Sequence, residues 1–138
     1  MIRRLLVVDD EPTTLLAFRK LFGNSEIAVD TAETMEKAIA MIDGESYCAA
    51  IVDLRLTGIL SEEGLEILQY AKTRQPDMGV IMITGCGNDD AREKATRLGA
   101  DYYFEKPVSP FVLREALKEL GVNYDDHKRV NKVGGDSK

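Results

Sequence analysis

Short uninterrupted apolar runs alternate along this chain with longer stretches in which apolar residues recur every three or four positions. Leu5-Leu6-Val7-Val8 is the first run, and its lack of polar alternation fits a parallel strand covered on both faces. It stops at Asp9-Asp10. Pro12 suits the first turn of a helix, and Leu15, Phe18, Leu21 and Phe22 share one face until Gly23-Asn24 ends it. Ile27-Ala28-Val29 predicts a shorter second strand, followed by Thr34 as a cap and a helix bearing Met35, Ala38, Ile39 and Ile42 up to Asp43-Gly44. Cys48-Ala49-Ala50-Ile51-Val52 is the third run and leads into Asp53. A long loop through Gly58 and Ser61 then precedes a helix carrying Leu65, Leu68, Tyr70 and Ala71, which ends before Gln75-Pro76-Asp77. Val80-Ile81-Met82-Ile83 is the fourth run, ending at Thr84. Asn88-Asp89-Asp90 opens a helix that Gly99 stops. Tyr102-Tyr103-Phe104 is a short fifth strand before Lys106-Pro107, and Ser109-Pro110 opens a last helix through Leu120.

Strand-length runs alternating with helical stretches predict an open parallel α/β sheet with helices on both faces. In such sheets the ligand crevice lies outside the carboxyl ends of the strands, at the point where strand order reverses. Asp9-Asp10, Asp53, Thr84 and Lys106 all follow predicted strands at that edge. A carboxylate at the exit of a buried strand is costly unless a cation meets it, which makes Asp53 the most informative residue of the set.

The chain has 138 residues, 44% of them hydrophobic, which suits one domain with a real core. A packed domain is expected over residues 1–121, with a polar tail or the start of a linker over 122–138. The net charge of −6 argues against a nucleic-acid surface, because phosphate backbones are met by basic footprints. The apolar run before Asp9 is too short for a signal-peptide core or a membrane span, so the expectation is a soluble, cytoplasmic protein. Cys48 and Cys86 have neither disulfide-framework nor zinc spacing.

Several carboxylates in one crevice repel one another and take up protons unless a cation compensates. Oxygen donors without a nearby histidine favour a hard ion, and few protein ligands combined with phosphate favour Mg²⁺ over Ca²⁺. A metal, an ammonium and a hydroxyl can share the charge that spreads over a phosphoryl group in transfer. With Asp53 as nucleophile, the set is complete for an aspartyl-phosphate intermediate.

Val7-Val8-Asp9-Asp10-Glu11-Pro12, Val52-Asp53-Leu54-Arg55, Ile83-Thr84-Gly85 and Phe104-Glu105-Lys106-Pro107, in that order at successive strand ends, resemble the receiver domain of bacterial two-component response regulators, of the chemotaxis-regulator type. The resemblance spans about residues 3–121. It implies a flavodoxin-like (βα)5 fold, a doubly wound three-layer α/β/α sheet with strand order 2-1-3-4-5. It also implies Asp53 as phosphoacceptor from the phosphohistidine of a sensor histidine kinase or phosphotransfer protein. Asp10 would then be the direct Mg²⁺ ligand (Mn²⁺ being an alternative ion), Asp9 a ligand largely through water, and the Arg55 carbonyl the third protein ligand beside Asp53 itself. Lys106 would pair with a phosphoryl oxygen, with a frequently cis bond to Pro107. Thr84 would hydrogen-bond the phosphoryl group, and Tyr103 would turn inward with it, altering the surface of the fourth helix, fifth strand and fifth helix. Arg55 and Cys86 occupy positions that tune water access. Such a module is not an enzyme on external substrates and catalyses only its own phosphorylation and dephosphorylation. Its readers would be a downstream protein target or a fused output domain, or a second copy in a phosphorylation-dependent homodimer, with no direct nucleic-acid or membrane contact.

The chain departs from the family pattern after Asp53. Position 57 is Thr where proline is common, and the comparable glycine is Gly64, which implies a loop about three residues longer. Three rivals are separable on residues. An aspartyl-nucleophile phosphohydrolase of the haloacid-dehalogenase type carries a second Asp two residues on, where this chain has Arg55. A flavin module wants a hydroxyl- or glycine-rich loop where Asp9-Asp10-Glu11 stands. A non-phosphorylated pseudo-receiver has usually lost an acid, the acceptor or the lysine, and all are present.

Overall fold

A computed structural model describes residues 2–56, 62–85 and 88–122. Strands and helices alternate strictly: β1 (Arg3–Val8), α1 (Pro12–Phe22), β2 (Ile27–Ala32), α2 (Met35–Gly44), β3 (Ala49–Asp53), α3 (Glu63–Arg74), β4 (Gly79–Thr84), α4 (Asp89–Arg97), β5 (Tyr102–Glu105) and α5 (Pro110–Glu119). All strand pairs are parallel, in the order β2-β1-β3-β4-β5. This is the flavodoxin-like fold expected, and strand order reverses between β1 and β3.

The uninterrupted apolar runs follow from the three layers. Alternate strand side chains enter opposite cores, so both sets must be apolar. Leu5, Val7, Ile51, Ile81 and Ile83 pack with Leu15 and Phe22 of α1 and with Leu113 and Leu117 of α5. Leu6, Val8, Val52, Val80 and Met82 pack with residues of α2, α3 and α4. The helix starts carry the caps read from the sequence. The Thr34 hydroxyl accepts the Lys37 N–H at 3.1 Å, Asn88 accepts the Ala91 N–H at 2.8 Å, and Ser109 accepts those of Phe111 and Val112.

Two strands run further than their apolar residues alone indicate. β1 starts at Arg3 and β2 continues through Asp30 and Thr31 to Ala32, in register residue for residue. The polar positions persist because they pair. Arg4 bridges Asp30 and Glu45, each at 3.3 Å, and the Tyr47 hydroxyl donates to Asp30 at 2.8 Å. At the start of β5, Asp101 accepts the Val80 N–H at 2.9 Å and the Lys72 ammonium at 3.0 Å. That fixes the edge strand leading to Lys106. The packed body reaches Val122, which is fully buried. Among the described residues, no helix is long and apolar enough to cross a membrane.

Candidate functional site

Strand register determines which side chains meet. Val8 lies opposite Val52, Asp53 opposite Ile83, and Thr84 opposite Glu105, so the residues at or just past these ends crowd one edge of the sheet. Asp9 is 0% exposed, Asp53 5% and Thr84 0%, while Asp10 faces solvent. These are the only buried polar or charged residues among those described, and all three belong to the predicted set.

Each carboxylate is held by its local chain. Asp9 accepts the N–H of Glu11 at 2.9 Å, a turn that starts α1 without a side-chain cap at Glu11. Asp53 accepts the N–H of Arg55 at 3.2 Å. The Lys106 ammonium, whose backbone N–H is anchored on the Thr84 carbonyl at 2.8 Å, reaches Asp9 at 3.4 Å and Asp53 at 3.3 Å. One cation thus serves two buried acids. The Lys106–Pro107 peptide is cis, as the resemblance implies.

The charge balance is incomplete. Burial raises the Asp53 pKa above the ordinary carboxylate range. Lys106 and the Arg55 amide pull it down but do not cancel the burial, and Asp9 adds to the rise. Burial opposes the Lys106 charge, yet the carboxylates of Asp53 and Asp9 outweigh it and hold the ammonium above the usual lysine range. Oxygen atoms of Asp9, Asp10 and Asp53 all lie within 4.8 Å of one another. A buried acid reluctant to ionise, amid an all-oxygen donor set, fits a hard cation that would supply the missing charge.

Gly64 sits at the start of α3 because nothing larger fits. A Cβ there would lie 2.4 Å from the Asp53 carbonyl oxygen and 2.6 Å from Leu54 Cα, both backbone atoms. The Gly64 N–H donates to the Leu54 carbonyl at 2.9 Å. The helix is therefore docked directly on the chain that carries Asp53, which gives a physical reason for the glycine inferred at this position. Gly64→Ala is expected to lower stability by about 1–2 kcal/mol, since the backbone must shift to admit the methyl group. Urea unfolding would show it as a lower midpoint with an unchanged slope.

Tyr103 lies in the outer strand with its ring against the core beneath α2, α3 and α4. Arg55, partly buried, is close enough for its charge to act on the tyrosine. The guanidinium of Arg92 stacks over the Tyr103 ring, 4.7 Å from its centroid, a contact no sequence spacing announces. Glu62, the last loop residue before α3, meets Lys94 of α4 at 3.6 Å. Cys86 and the loop positions from Thr57 to Ser61 lie outside the described residues.

Comparison with known proteins agrees with this geometry. The family model for the response regulator receiver domain matches residues 5–118. The alginate biosynthesis transcriptional regulatory protein AlgB of Pseudomonas aeruginosa is 33% identical over 120 residues, covering 86% of this chain and 26% of AlgB. The chain thus spans about a quarter of that relative. Among solved structures, a CheY-like receiver domain protein from Methanospirillum hungatei superposes with a TM-score of 0.80 at 32% identity, over 86% of this chain and 93% of that one. TrrA of Thermotoga maritima, solved in complex with Mg²⁺ and BeF, gives 0.72 at 28% identity, over 86% and 99%. With the family match spanning nearly all of the packed body and the acidic cluster at the expected strand ends, the chain belongs to the response regulator receiver domains of two-component signal transduction.

Proposed function

We propose that Asp53 accepts a phosphoryl group from a phosphohistidine, on a sensor histidine kinase or a phosphotransfer protein, and that the resulting acyl phosphate switches the surface around α4, β5 and α5. The observation that carries this reading is the buried Asp53 carboxylate, 3.3 Å from the Lys106 ammonium and clustered with Asp9 and Asp10. In the reaction a carboxylate oxygen of Asp53 forms the new P–O bond while the P–N bond to histidine breaks, and the imidazole leaves with the electron pair.

Asp9, Asp10, Asp53 and the Arg55 carbonyl are the groups that would hold Mg²⁺, or Mn²⁺ in its place. When bound, the ion supplies positive charge that keeps Asp53 ionised and offsets the phosphoryl oxygens. Lys106 moves from pairing two carboxylates to pairing a phosphoryl oxygen, which keeps its charge satisfied throughout. The Thr84 hydroxyl, at the adjacent strand end, donates to another oxygen once the group has arrived. Its displacement frees space beneath Tyr103 and so favours the inward state of that ring, and the altered surface is read by a target protein, a fused output domain or a second copy. The module acts on itself alone and works in the cytoplasm.

Incubation with Mg²⁺ and a small acyl-phosphate donor, followed by intact mass, tests this. One added phosphoryl group that is absent in Asp53→Asn is expected. Repeated turnover of unrelated phosphate esters would instead indicate a phosphohydrolase, and the absence of any adduct a pseudo-receiver.

Arg55 sets the lifetime of the adduct in this reading, its long cationic side chain engaging the phosphoryl group against water. Arg55→Ala is expected to shorten the half-life about threefold, the scale of one solvent-screened charge pair. The loss of label over time measures it, and an unchanged half-life would remove Arg55 from the mechanism.

A further inference from the structure

Tyr103 is held in a conformation that its own hydroxyl disfavours. The hydroxyl oxygen is shut off from solvent and has no hydrogen-bond partner among the described residues. Such a group forfeits its hydration without recompense, so other contacts must keep the side chain in. One is the apolar packing of the ring. The other is Arg92, whose guanidinium lies 4.7 Å from the ring centroid, within the range of cation–π attraction. Arg92 is exposed and forms no ion pair among the described residues, so the ring is the contact that orders it.

The placement of Arg92 gives this contact a consequence. It lies in the first turns of α4, whose side chain Lys94 is tied to Glu62 at 3.6 Å and Asp90 at 3.3 Å. The stack therefore joins the inward state of Tyr103 to a helix already fastened to the segment that follows the acceptor strand. We propose that Arg92 is a positioning residue for Tyr103: by closing over the ring it holds the tyrosine inward, and so sets how far the unmodified protein already lies toward the switched state. This rests on the proposed roles of Asp53, Thr84 and Tyr103. A contact made only in the inward state raises its population, and a ligand that needs that state then binds more tightly by the same factor.

The test is a double-mutant cycle on the affinity for beryllofluoride in the presence of Mg²⁺, followed by calorimetry with the whole chain. Arg92→Ala is expected to weaken binding about 3- to 10-fold, the range of one cation–π contact at a partly exposed ring, and Arg92→Lys is expected to recover part of the loss. In a Tyr103→Ala background, Arg92→Ala should then change the affinity by less than about 1.5-fold, because the partner is gone. A purely structural role would lower the unfolding midpoint without this dependence on Tyr103. Equal affinities for wild type and Arg92→Ala, or an undiminished loss in the Tyr103→Ala background, would overturn the proposal. Wild-type protein that fails to bind, or binds equally well as Asp53→Asn, would instead overturn the reading of the site on which the proposal stands.

Discussion

Asp53→Asn is expected to abolish phosphoryl uptake and, at the same time, to raise the unfolding midpoint of the metal-free protein. The first effect follows from chemistry, since a neutral amide is no nucleophile for phosphorus. The second follows from burial. Asp53 has its folded-state pKa raised, chiefly by desolvation, so the folded protein binds its proton more tightly than the unfolded chain does. The stability linked to that proton is fully present below the unfolded carboxylate pKa and is lost as pH rises through the raised folded value. At neutral pH the ionised carboxylate is therefore a net burden. An isosteric amide removes it while leaving Lys106 its bond to Asp9. A gain of about 1 kcal/mol, or roughly 4 °C in a domain of this size, should appear in thermal unfolding at pH 7 with chelator present, and should shrink toward acid pH. Adding Mg²⁺ should stabilise wild type and have far less effect on the variant.

Lys106→Met removes the only cation within reach of the two buried acids among the described residues. Breaking a buried ion pair commonly costs about 3–5 kcal/mol. The lysine side chain is 35% exposed, and solvent screening reduces the expected loss to about 2 kcal/mol. The shortfall should be largest in metal-free buffer and partly restored by Mg²⁺, which can take over the compensation. The raised pKa of Lys106 means that its contribution in wild type is fully present through neutral pH. It is lost only as alkaline pH rises through that raised value. Phosphorylation by a small donor should slow by about 100-fold, the scale of removing one preorganised charge from a developing phosphoryl transition state. Stopped-time intact mass on the variant measures the rate, and denaturant unfolding with and without Mg²⁺ measures the stability.

The parts of this site that were legible in the sequence share a property: each ends a run whose periodicity places it. Asp9, Asp53 and Thr84 follow apolar strands, and parallel order puts their carboxyl ends along one edge whatever the loops do. Lys106 reached its partners from far along the chain for the same reason. Caps at Thr34, Asn88 and Ser109 were legible because their effect is local. What escaped is set by tertiary register. The polar ends of β1 and β2 look like loop until Arg4 and Tyr47 both meet Asp30. The dual pairing of Lys106 depends on its side chain reaching from the end of β5 past β4 to the ends of β3 and β1. Arg92 is one more charged residue on an exposed helix, and nothing in its spacing ties it to a tyrosine in the neighbouring strand. Gly64 was visible as a residue, but its cause, a helix resting on the backbone of Asp53 and Leu54, is a contact between elements that pattern alone does not encode.

The most direct measurement is the position of the phosphoryl group. After phosphorylation with Mg²⁺ and an acyl-phosphate donor, borohydride reduction converts an aspartyl phosphate to homoserine, which peptide mass mapping can place. The result predicted is homoserine at position 53 alone, with no reduced product in Asp53→Asn. Homoserine at Asp9 or Asp10, or a phosphate that resists reduction and maps to the Thr84 hydroxyl, would contradict the assignment of Asp53 as the acceptor.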